Sequence, residues 1–211
     1  MHWVVIPFRG IESAKSRLAG SLSDAARRHI ARAMFQHVLN VSCTAVGAKR
    51  VMVVTPSGTA ARMAKLSGAS VLREQEPGLN EAVTRACSLL RSRGNSTATI
   101  VASDLPLIGP DHITMLTTRA RMGCVGIARD KSGEGTNAVA LPLGARFQFA
   151  FGEHSFFRHL RQRSPTLPVT IIRDRALAAD VDIPEDLVLL DEPGSLATLP
   201  PVRNIAFGAA R

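Results

Sequence analysis

The sequence predicts an α/β fold, a three-layer α/β/α sandwich built on a mainly parallel sheet. Short apolar runs alternate with longer segments in which apolar residues recur at helical spacing, and the connections between them are short. The apolar run at 100–102 shows no polar alternation, which is typical of a strand covered by helices on both faces. A chain of 211 residues that is 45% hydrophobic is long enough to form one complete core.

The elements of the first half are bounded by residues that end regular structure. Residues 3–8 form an apolar run that predicts the first strand, and the loop after it contains Lys15 and Arg17. Apolar residues then recur at helical spacing over 21–42, where Ser21 or Ser23 can cap a helix. The same criteria predict strands at 50–55, 69–72 and 97–102 and helices at 59–66 and 78–94.

The second half is less regular and ends in a change of composition. A helix over 110–121 begins at Pro110, and further strands are predicted at 123–128, 137–143 and 169–172, with helices at 155–163 and 182–190. From residue 191 the chain becomes rich in Pro, Gly and Ser. We therefore expect a single domain over 1–190 and an accessory tail over 191–211.

Composition narrows the class of protein. The formal net charge is +9, but only four of the 26 basic residues are lysines, and the arginines are scattered along the chain. Aromatic residues make up 4%, so platforms for stacking bases are scarce, and we expect a small polyanionic ligand and no nucleic acid. No apolar run is long enough to span a membrane, and no signal-peptide pattern is present. Three widely separated cysteines predict reduced thiols in a cytoplasmic protein and no zinc site.

Asp104 follows the predicted central strand directly, before Pro106 and Pro110 prevent the strand from continuing. Ligands of open α/β sheets bind outside the carboxyl ends of the strands, so this carboxylate is well placed to hold a divalent cation on a phosphate. The alternative is a loop Asp that turns the chain into the following helix.

Asp180 and Asp182 form a second candidate for metal binding. In an extended segment residues two apart point to one side, so both carboxylates could chelate one cation, with Asp104 as a third ligand. Alternatively, Asp182 with Pro184 and Glu185 is a helix-start signature.

Glycine-rich segments supply candidate anion sites. The chain has no GxxxxGK[ST] P-loop. Residues 133–138 match GxGxxA, but a strand follows, so the segment is an anion-binding loop that includes the Thr136 hydroxyl or, as the spacing favours, a tight hairpin turn. Gly152 and Ser155 open a helix, either as an anion site or with Ser155 as a plain N-cap. His154 and His159 lie near this start, where a surface role is favoured over substrate contact.

Several motifs occur in order along the chain, and together they identify a family that no single motif would. They are Ile6-Pro7-Phe8-Arg9-Gly10, Ala14-Lys15-Ser16-Arg17-Leu18, Gly78-Leu79-Asn80, Asp104-Leu105-Pro106, Gly135-Thr136-Asn137, Phe151-Gly152 with Ser155-Phe156, and Asp180 with Asp182 and Pro184-Glu185-Asp186-Leu187. From about residue 3 to residue 190 the chain resembles the CofC/FbiD family. These guanylyltransferases act on 2-phospho-L-lactate or phosphoenolpyruvate in the biosynthesis of the deazaflavin coenzyme F-420.

This resemblance implies a nucleotidyltransferase fold, which is Rossmann-like and related to the GT-A glycosyltransferases, and a reaction. GMP would pass from GTP to a phosphorylated three-carbon acid with release of pyrophosphate, in a protein that is a possible homodimer. Phosphoenolpyruvate, 2-phospho-L-lactate and 3-phospho-D-glycerate are all candidate acids. Carried over by position, the nucleotide would be bound by Pro7, Arg9, Lys15, Arg17, Gly78, Leu79 and Asn80, Mg²⁺ by Asp104, Asp180 and Asp182, and the acid by Thr136, Gly152 and Ser155.

The implied chemistry agrees with the residues available. The attacking phosphate oxygen is already ionised at neutral pH, so no placed histidine is needed as a general base. Lys15, Arg17 and Asp104 would be the catalytic residues, with the two cations neutralising the departing pyrophosphate. Arg9 departs from the Lys expected in much of the family, and its guanidinium presents a different fork of donors.

Two other interpretations are open. Nucleotidyltransferases of the molybdenum-cofactor or sugar-acid type share the sheet and the strand-end Asp, but they usually carry a glycine-rich LxGGxSxRxG-type loop that residues 8–13 lack. A non-enzymatic nucleotide-binding or nucleic-acid-binding protein is suggested by the positive charge, although carboxylates at the strand ends would repel DNA.

Overall fold

Seven strands form one sheet in which all but one strand run in the same direction. The structure is a computed structural model that describes residues 1–11, 15–74 and 78–192, so the predicted tail beyond residue 192 lies outside it. The strands are β1 (His2–Pro7), β2 (Val51–Thr55), β3 (Ser70–Arg73), β4 (Thr97–Val101), β5 (Val125–Arg129), β6 (Thr136–Pro142) and β7 (Val169–Ile172). Their order is β3-β2-β1-β4-β6-β5-β7, and β6 is antiparallel to both of its neighbours.

Six α-helices within the described residues cover the two faces of this sheet. They are α1 (Asp24–Val46), α2 (Gly58–Leu66), α3 (Leu79–Ser92), α4 (Pro110–Arg121), α5 (Ser155–Leu160) and α6 (Arg175–Ala178). One core cluster joins α1, α2, α4 and α6 to one face, and a second joins α3 and α5 to the other. This is the predicted three-layer sandwich with a mainly parallel sheet. No helix in the described part of the chain is long and apolar enough to cross a membrane.

Local signals explain how the longest helix begins and ends. The Ser23 hydroxyl accepts a hydrogen bond from the Ala26 amide at 3.2 Å, so Ser23, one of the two predicted caps, is the N-cap of α1. Gly47 ends the helix with a φ of 83°, a conformation that costs a glycine little.

The last predicted helix, at 182–190, is wrong in type. Residues Pro184–Asp191 form a 3-10 helix, and Asp182 does not cap it. The side chain of Asp186 instead reaches back and accepts hydrogen bonds from the amides of Asp182 at 2.7 Å and Ile183 at 2.9 Å. A carboxylate in the first turn therefore replaces the cap expected before it.

The direction of β6 decides which residues meet at one edge of the sheet. Because β6 is antiparallel to β4 and β5, its first residues lie beside the carboxyl ends of those strands. The amide of Ala102, just after β4, donates to the carbonyl of Asn137 at 2.8 Å. Thr136 and Asn137 therefore join the edge at which Asp104 lies, although they begin a strand.

Candidate active site

An open cleft of about 850 Å³ lies at the carboxyl edge of the parallel strands. It is lined by residues that follow β1, β2, β3 and β4, by the loop before α1, and by the start of α3, as expected for a ligand site in an open α/β sheet. Of the residues predicted from sequence, the lining includes Pro7, Arg9, Lys15, Arg17, Gly78, Leu79, Asp104 and Asp182.

Lys15 forms the centre of this cleft. Its Nζ lies 2.6 Å from Asp104 Oδ2 and 3.0 Å from Asp182 Oδ1, and its side chain is only 9% exposed. Although burial opposes the charged form, these two carboxylates raise the pKa of Lys15 above its usual value. Arg17 is far more exposed, with Nη1 3.6 Å from Asp182 Oδ2. Two carboxylates thus converge on the Lys15 ammonium group. Arg17 is a second cation at the exposed rim of the cleft.

Lys15 has a left-handed backbone where it lines the cleft. Its φ of 58° is unusual for a residue other than glycine, and it precedes the single 3-10 turn Ser16–Leu18. Leu18 is fully buried in a small cluster with Val181, so the loop is anchored beside the segment that carries Asp182.

Asp180 lies next to this centre but is oriented differently. Its Oδ1 accepts a hydrogen bond from Asn137 Nδ2 at 3.1 Å. Burial raises the pKa of Asp180, the Asn137 hydrogen bond opposes that rise, and the charges of Asp104 and Asp182 add to it. The structure therefore brings two of the three predicted metal ligands onto one cation. Within the described residues, no three acidic, His or Cys side chains form a ready-made metal cluster.

Two residues without an assigned role in the sequence analysis, Lys131 and Asp186, hold the Asp180–Asp182 segment in place. Lys131 Nζ donates to the Asp180 carbonyl at 3.3 Å and forms an ion pair with the Asp186 carboxylate. Asp186 in turn accepts from the amides of Asp182 and Ile183. Although burial opposes its ionisation, these donors hold the pKa of Asp186 below its usual value. The backbone of the acidic segment is thus fixed from the hairpin that joins β5 to β6.

Thr136 lies on the opposite face of the sheet from Asn137 and is paired with a buried histidine. Its Oγ1 is 3.1 Å from Nδ1 of His159, and the amide of Ala150 donates to His159 Nε2 at 2.8 Å. Because Nε2 accepts, the ring proton of the neutral imidazole is on Nδ1 and is donated to Thr136. Burial, with a smaller effect of Arg158, lowers the pKa of His159 to about 4.

The expectation of a surface role for His159 is wrong. The residue is fully buried, since its ring packs against Phe147 and Phe151 with centroids 5.3 Å and 5.0 Å away. The spacing of His159 four residues after Ser155 gives no sign of this partner, because Thr136 and Ala150 approach it only in the folded chain. His154, in contrast, is exposed, as expected.

The glycine-rich segments form turns. Asp130 and Gly135 close the β5–β6 hairpin through an amide-to-carbonyl bond of 3.1 Å, and the Glu134 amide donates to Asp130 Oδ1 at 3.1 Å. The turn interpretation of 133–138 is therefore confirmed, since Asp130 already occupies the Glu134 amide. Ser155 begins α5 as its first residue, not as its cap, because His154 holds the cap position with a φ of 51°.

Asn80, expected on the nucleotide side, links that side to the segment before Gly152. Its Oδ1 accepts from the Phe151 amide at 2.7 Å, and its Nδ2 donates to the Phe151 carbonyl at 3.2 Å. Asn80, Thr136, Gly152 and Ser155 are all outside the lining of the main cleft. This pair of bonds joins the start of α3, which borders the cleft, to the loop that leads to Gly152.

Comparison with known proteins shows the family to which this chain belongs. A family described as guanylyl transferase CofC like matches residues 2–195. The chain is 36% identical over 184 residues to the phosphoenolpyruvate guanylyltransferase of Sphaerobacter thermophilus, which covers 87% of this chain and 89% of that protein. It is 34% identical over 195 residues to the 3-phospho-D-glycerate guanylyltransferase of Phenylobacterium zucineum, with 89% and 88% covered.

A solved structure supports the fold independently. The 4-diphosphocytidyl-2C-methyl-D-erythritol synthase of Anaerococcus prevotii has a TM-score of 0.60 to this chain at 8% sequence identity, over 90% of this chain and 93% of its own. Such low identity carries information on the fold alone. Together with the match over nearly the whole sequence, it leads to one assignment: the chain is a nucleotidyltransferase and belongs to the CofC-like guanylyl transferase family.

Proposed function

We propose that this protein transfers GMP from GTP to a phosphorylated three-carbon acid and releases pyrophosphate, as a cytoplasmic step in the biosynthesis of coenzyme F-420. The observation that carries the proposal is Lys15, buried between Asp104 and Asp182 in a cleft that Arg9 and Arg17 also line. Phosphoenolpyruvate is the first acid to test, because the Sphaerobacter thermophilus relative bears that name. 3-Phospho-D-glycerate and 2-phospho-L-lactate are the other two candidates.

The reaction needs positioning and neutralisation of charge more than proton transfer. An oxygen of the acid's phosphate attacks the α-phosphorus of GTP, and the bond from that phosphorus to the bridging oxygen of the β-phosphate breaks. Pyrophosphate leaves with the electron pair of that bond. Since the attacking oxygen is ionised at pH 7, no general base is required, and negative charge accumulates on the leaving group. Lys15, Arg17 and Arg9 are the cations available to neutralise it.

Mg²⁺ is the cofactor we assign to this chemistry. The donor set fits a hard divalent cation, because Asp104 and Asp182 already share a cation in the form of the Lys15 ammonium group. Nearby Asp180, whose pKa is raised by burial and by these carboxylates, adds a third negative charge that a metal would offset. Bound there, Mg²⁺ would neutralise charge on the α-phosphate, while phosphate oxygens attract Lys15.

We assign the phospho-acid to the face of β6 on which Thr136 contacts His159, opposite to the face on which Asn137 contacts Asp180. His159 donates to Thr136 Oγ1, so the hydroxyl hydrogen of Thr136 is free to be donated to an anionic oxygen. Gly152, whose φ is 113°, and the buried Ser155 lie on the loop and helix beside this pair. Because the Ser155 amide already donates to the Gly152 carbonyl at 3.1 Å, the Ser155 hydroxyl is the group that we assign to the phosphate or carboxylate.

Pyrophosphate release by the purified protein tests the proposal. With Mg²⁺ and GTP, each of the three acids is added in turn, and we expect release with one of them. Replacement of GTP by ATP or CTP should abolish it. No release with any of the three acids would contradict the proposed function.

The Asp104→Ala variant tests the site within the same assay. It should lose turnover at least about a hundredfold, since Lys15 and the nucleotide lose a central charge partner. Asp111→Ala, at an exposed position in the first turn of α4, is the matched control and should stay near the parent rate. Activity of Asp104→Ala within about tenfold of the parent would remove Asp104 from the catalytic residues.

A further inference from the structure

Glu74 places in the cleft a buried carboxylate oxygen that has no hydrogen-bond partner among the described residues. The residue follows β3 directly, is 8% exposed and belongs to the cleft lining. Its Oε1 accepts a hydrogen bond from Arg85 Nη2 at 2.5 Å. Its Oε2 is buried and has no hydrogen-bond partner within the described residues. The sequence analysis gave Glu74 no role.

Such an oxygen calls for an explanation. Buried polar atoms are almost always hydrogen-bonded, and an unpaired carboxylate oxygen is among the costliest exceptions. In native structures an unpaired buried group has a physical reason, such as a role in the active site or a bound molecule that supplies the missing partner. A donor from a molecule bound in the cleft would complete the pairing of Glu74.

The position of Glu74 corresponds to the end of the cleft away from the phosphate-binding residues. Glu74 follows β3, whereas Asp104 follows β4, and β2 and β1 lie between these strands. Three strand spacings separate the two positions by about 14 Å. The wall near Glu74 includes Pro56, Gly78 and Ala82, which carry no charge. A nucleotide with its phosphates at Lys15 and Asp104 would extend its base along this wall.

We propose that Glu74 selects guanine, by accepting hydrogen bonds from its N1–H and its exocyclic 2-amino group. This inference rests on the proposed function and adds the residue that determines its nucleotide specificity. Two adjacent donors on one base edge match the two oxygens of a carboxylate. Adenine and cytosine present a ring-nitrogen acceptor in the equivalent place, which a carboxylate repels. Pairing with Arg85 leaves Oε1 a second lone pair for the base.

Inosine triphosphate gives the sharpest test, because it differs from GTP only in lacking the 2-amino group. The parent protein should prefer GTP over ITP by about tenfold or more in kcat/KM, the size of one hydrogen bond to a charged partner. In Glu74→Gln this preference should shrink to about twofold, while the KM for the phospho-acid stays within about twofold. Equal use of GTP and ITP by the parent protein would overturn the inference without any variant.

Two variants separate recognition from a structural role. If Glu74 served only to hold Arg85, Arg85→Gln would reduce the preference for GTP over ITP as strongly as Glu74→Gln does. We expect Arg85→Gln to keep that preference within about twofold, whatever its effect on stability. Glu81→Gln removes a nearby carboxylate whose side chain lies against Gly78, and it should also keep the preference. The assignment would be contradicted if either variant lost the preference as strongly as Glu74→Gln, or if Glu74→Gln kept it.

Calorimetric binding without the acid keeps this test distinct from that of the proposed function. If the parent protein released no pyrophosphate, the proposed function would fail, yet tighter binding of GTP than of ITP would still support the role of Glu74. If the protein turned over GTP but bound both nucleotides equally, only the role of Glu74 would fail.

Discussion

His159 is positioned to affect the proposed binding of the phospho-acid through Thr136, without contacting the acid itself. Its Nδ1 donates a hydrogen bond to Thr136, and its Nε2 accepts one from the Ala150 amide, so the two nitrogens have different roles. An Asn side chain can place a donor near Nδ1, and a Gln side chain can place an acceptor near Nε2. Substitution can therefore remove one task at a time.

For His159→Gln we expect the KM for the phospho-acid to rise about tenfold, with the KM for GTP within about twofold, because Thr136 loses its donor. His159→Asn should recover most of the acid affinity. Steady-state kinetics on both variants checks this expectation. Equal loss in both variants, or a parallel rise in the KM for GTP, would mean that His159 only supports the packing around Phe147 and Phe151.

For single residues, the sequence is enough to place a site residue that lies at the end of one predicted strand. It is not enough for a site residue whose position depends on contacts between several segments. Asp104 could be placed because it directly follows a buried strand. Lys15 lies in a loop and entered only through the family motif. His159 and Glu74 could not be found, because their partners lie 9 to 23 residues away in the sequence and approach them only in the folded chain.

Among the elements, the segment that carries Asp180 and Asp182 departs most from its prediction. Pro184 and the acidic residues around it suggested an α-helix with Asp182 at its cap. The fold instead uses Asp186 as acceptor for two amides and for Lys131, and the turn tightens into a 3-10 helix. A helix-start signature predicts where a helix begins. It does not predict which of several nearby carboxylates accepts the hydrogen bonds of the first amides.

The Asp186→Ala variant tests the role of this element. Removing the acceptor leaves the Asp182 and Ile183 amides and Lys131 without their partner, so the free energy of unfolding should fall by about 1–3 kcal/mol. The kcat should also fall, because Asp182 is no longer fixed. Urea denaturation and kinetics measure the two effects. Glu185→Ala, at the exposed neighbouring position, is the control, and a similar loss in both variants would argue against a specific role of Asp186.

For the whole molecule, the alternation of strands and helices was enough to predict the layers, and it left the direction of β6 undetermined. A strand of apolar residues looks the same whether it runs parallel or antiparallel to its neighbours. The short β5–β6 connection, closed between Asp130 and Gly135, has no room for a crossover helix and requires the antiparallel pairing. That turn was favoured by its spacing but not used to set the strand direction.

The stability of the whole sheet should depend on pH through His2. Its ring, buried in β1, lies 2.8 Å from Thr97 Oγ1 and 3.0 Å from Thr99 Oγ1 of β4. Burial, followed by the charges of Arg121, the N-terminus and Arg50, lowers the pKa of His2 to about 4. Between pH 6.5 and about 4, His2 is therefore protonated in the unfolded chain and neutral in the folded chain. The contribution of His2 to the free energy of unfolding is fully present above this range and is lost as the pH falls through it.

The expected loss from His2 is on the order of 3 kcal/mol across this window. Urea denaturation at pH 7 and at pH 4.5 should show a smaller pH-dependent loss in His2→Gln than in the parent protein. Replacement of the exposed His29 by Gln should leave that difference as it is in the parent. If the parent and His2→Gln lost stability equally, His2 would not be the source.

Thr136 and Asn137 are consecutive in β6, yet they face opposite layers, one toward His159 and the other toward Asp180. Inserting or deleting one residue within this strand would exchange the two faces for every residue beyond it. A substitution in β6 therefore alters one side chain, whereas a change of length by a single residue alters both layers of the core at once.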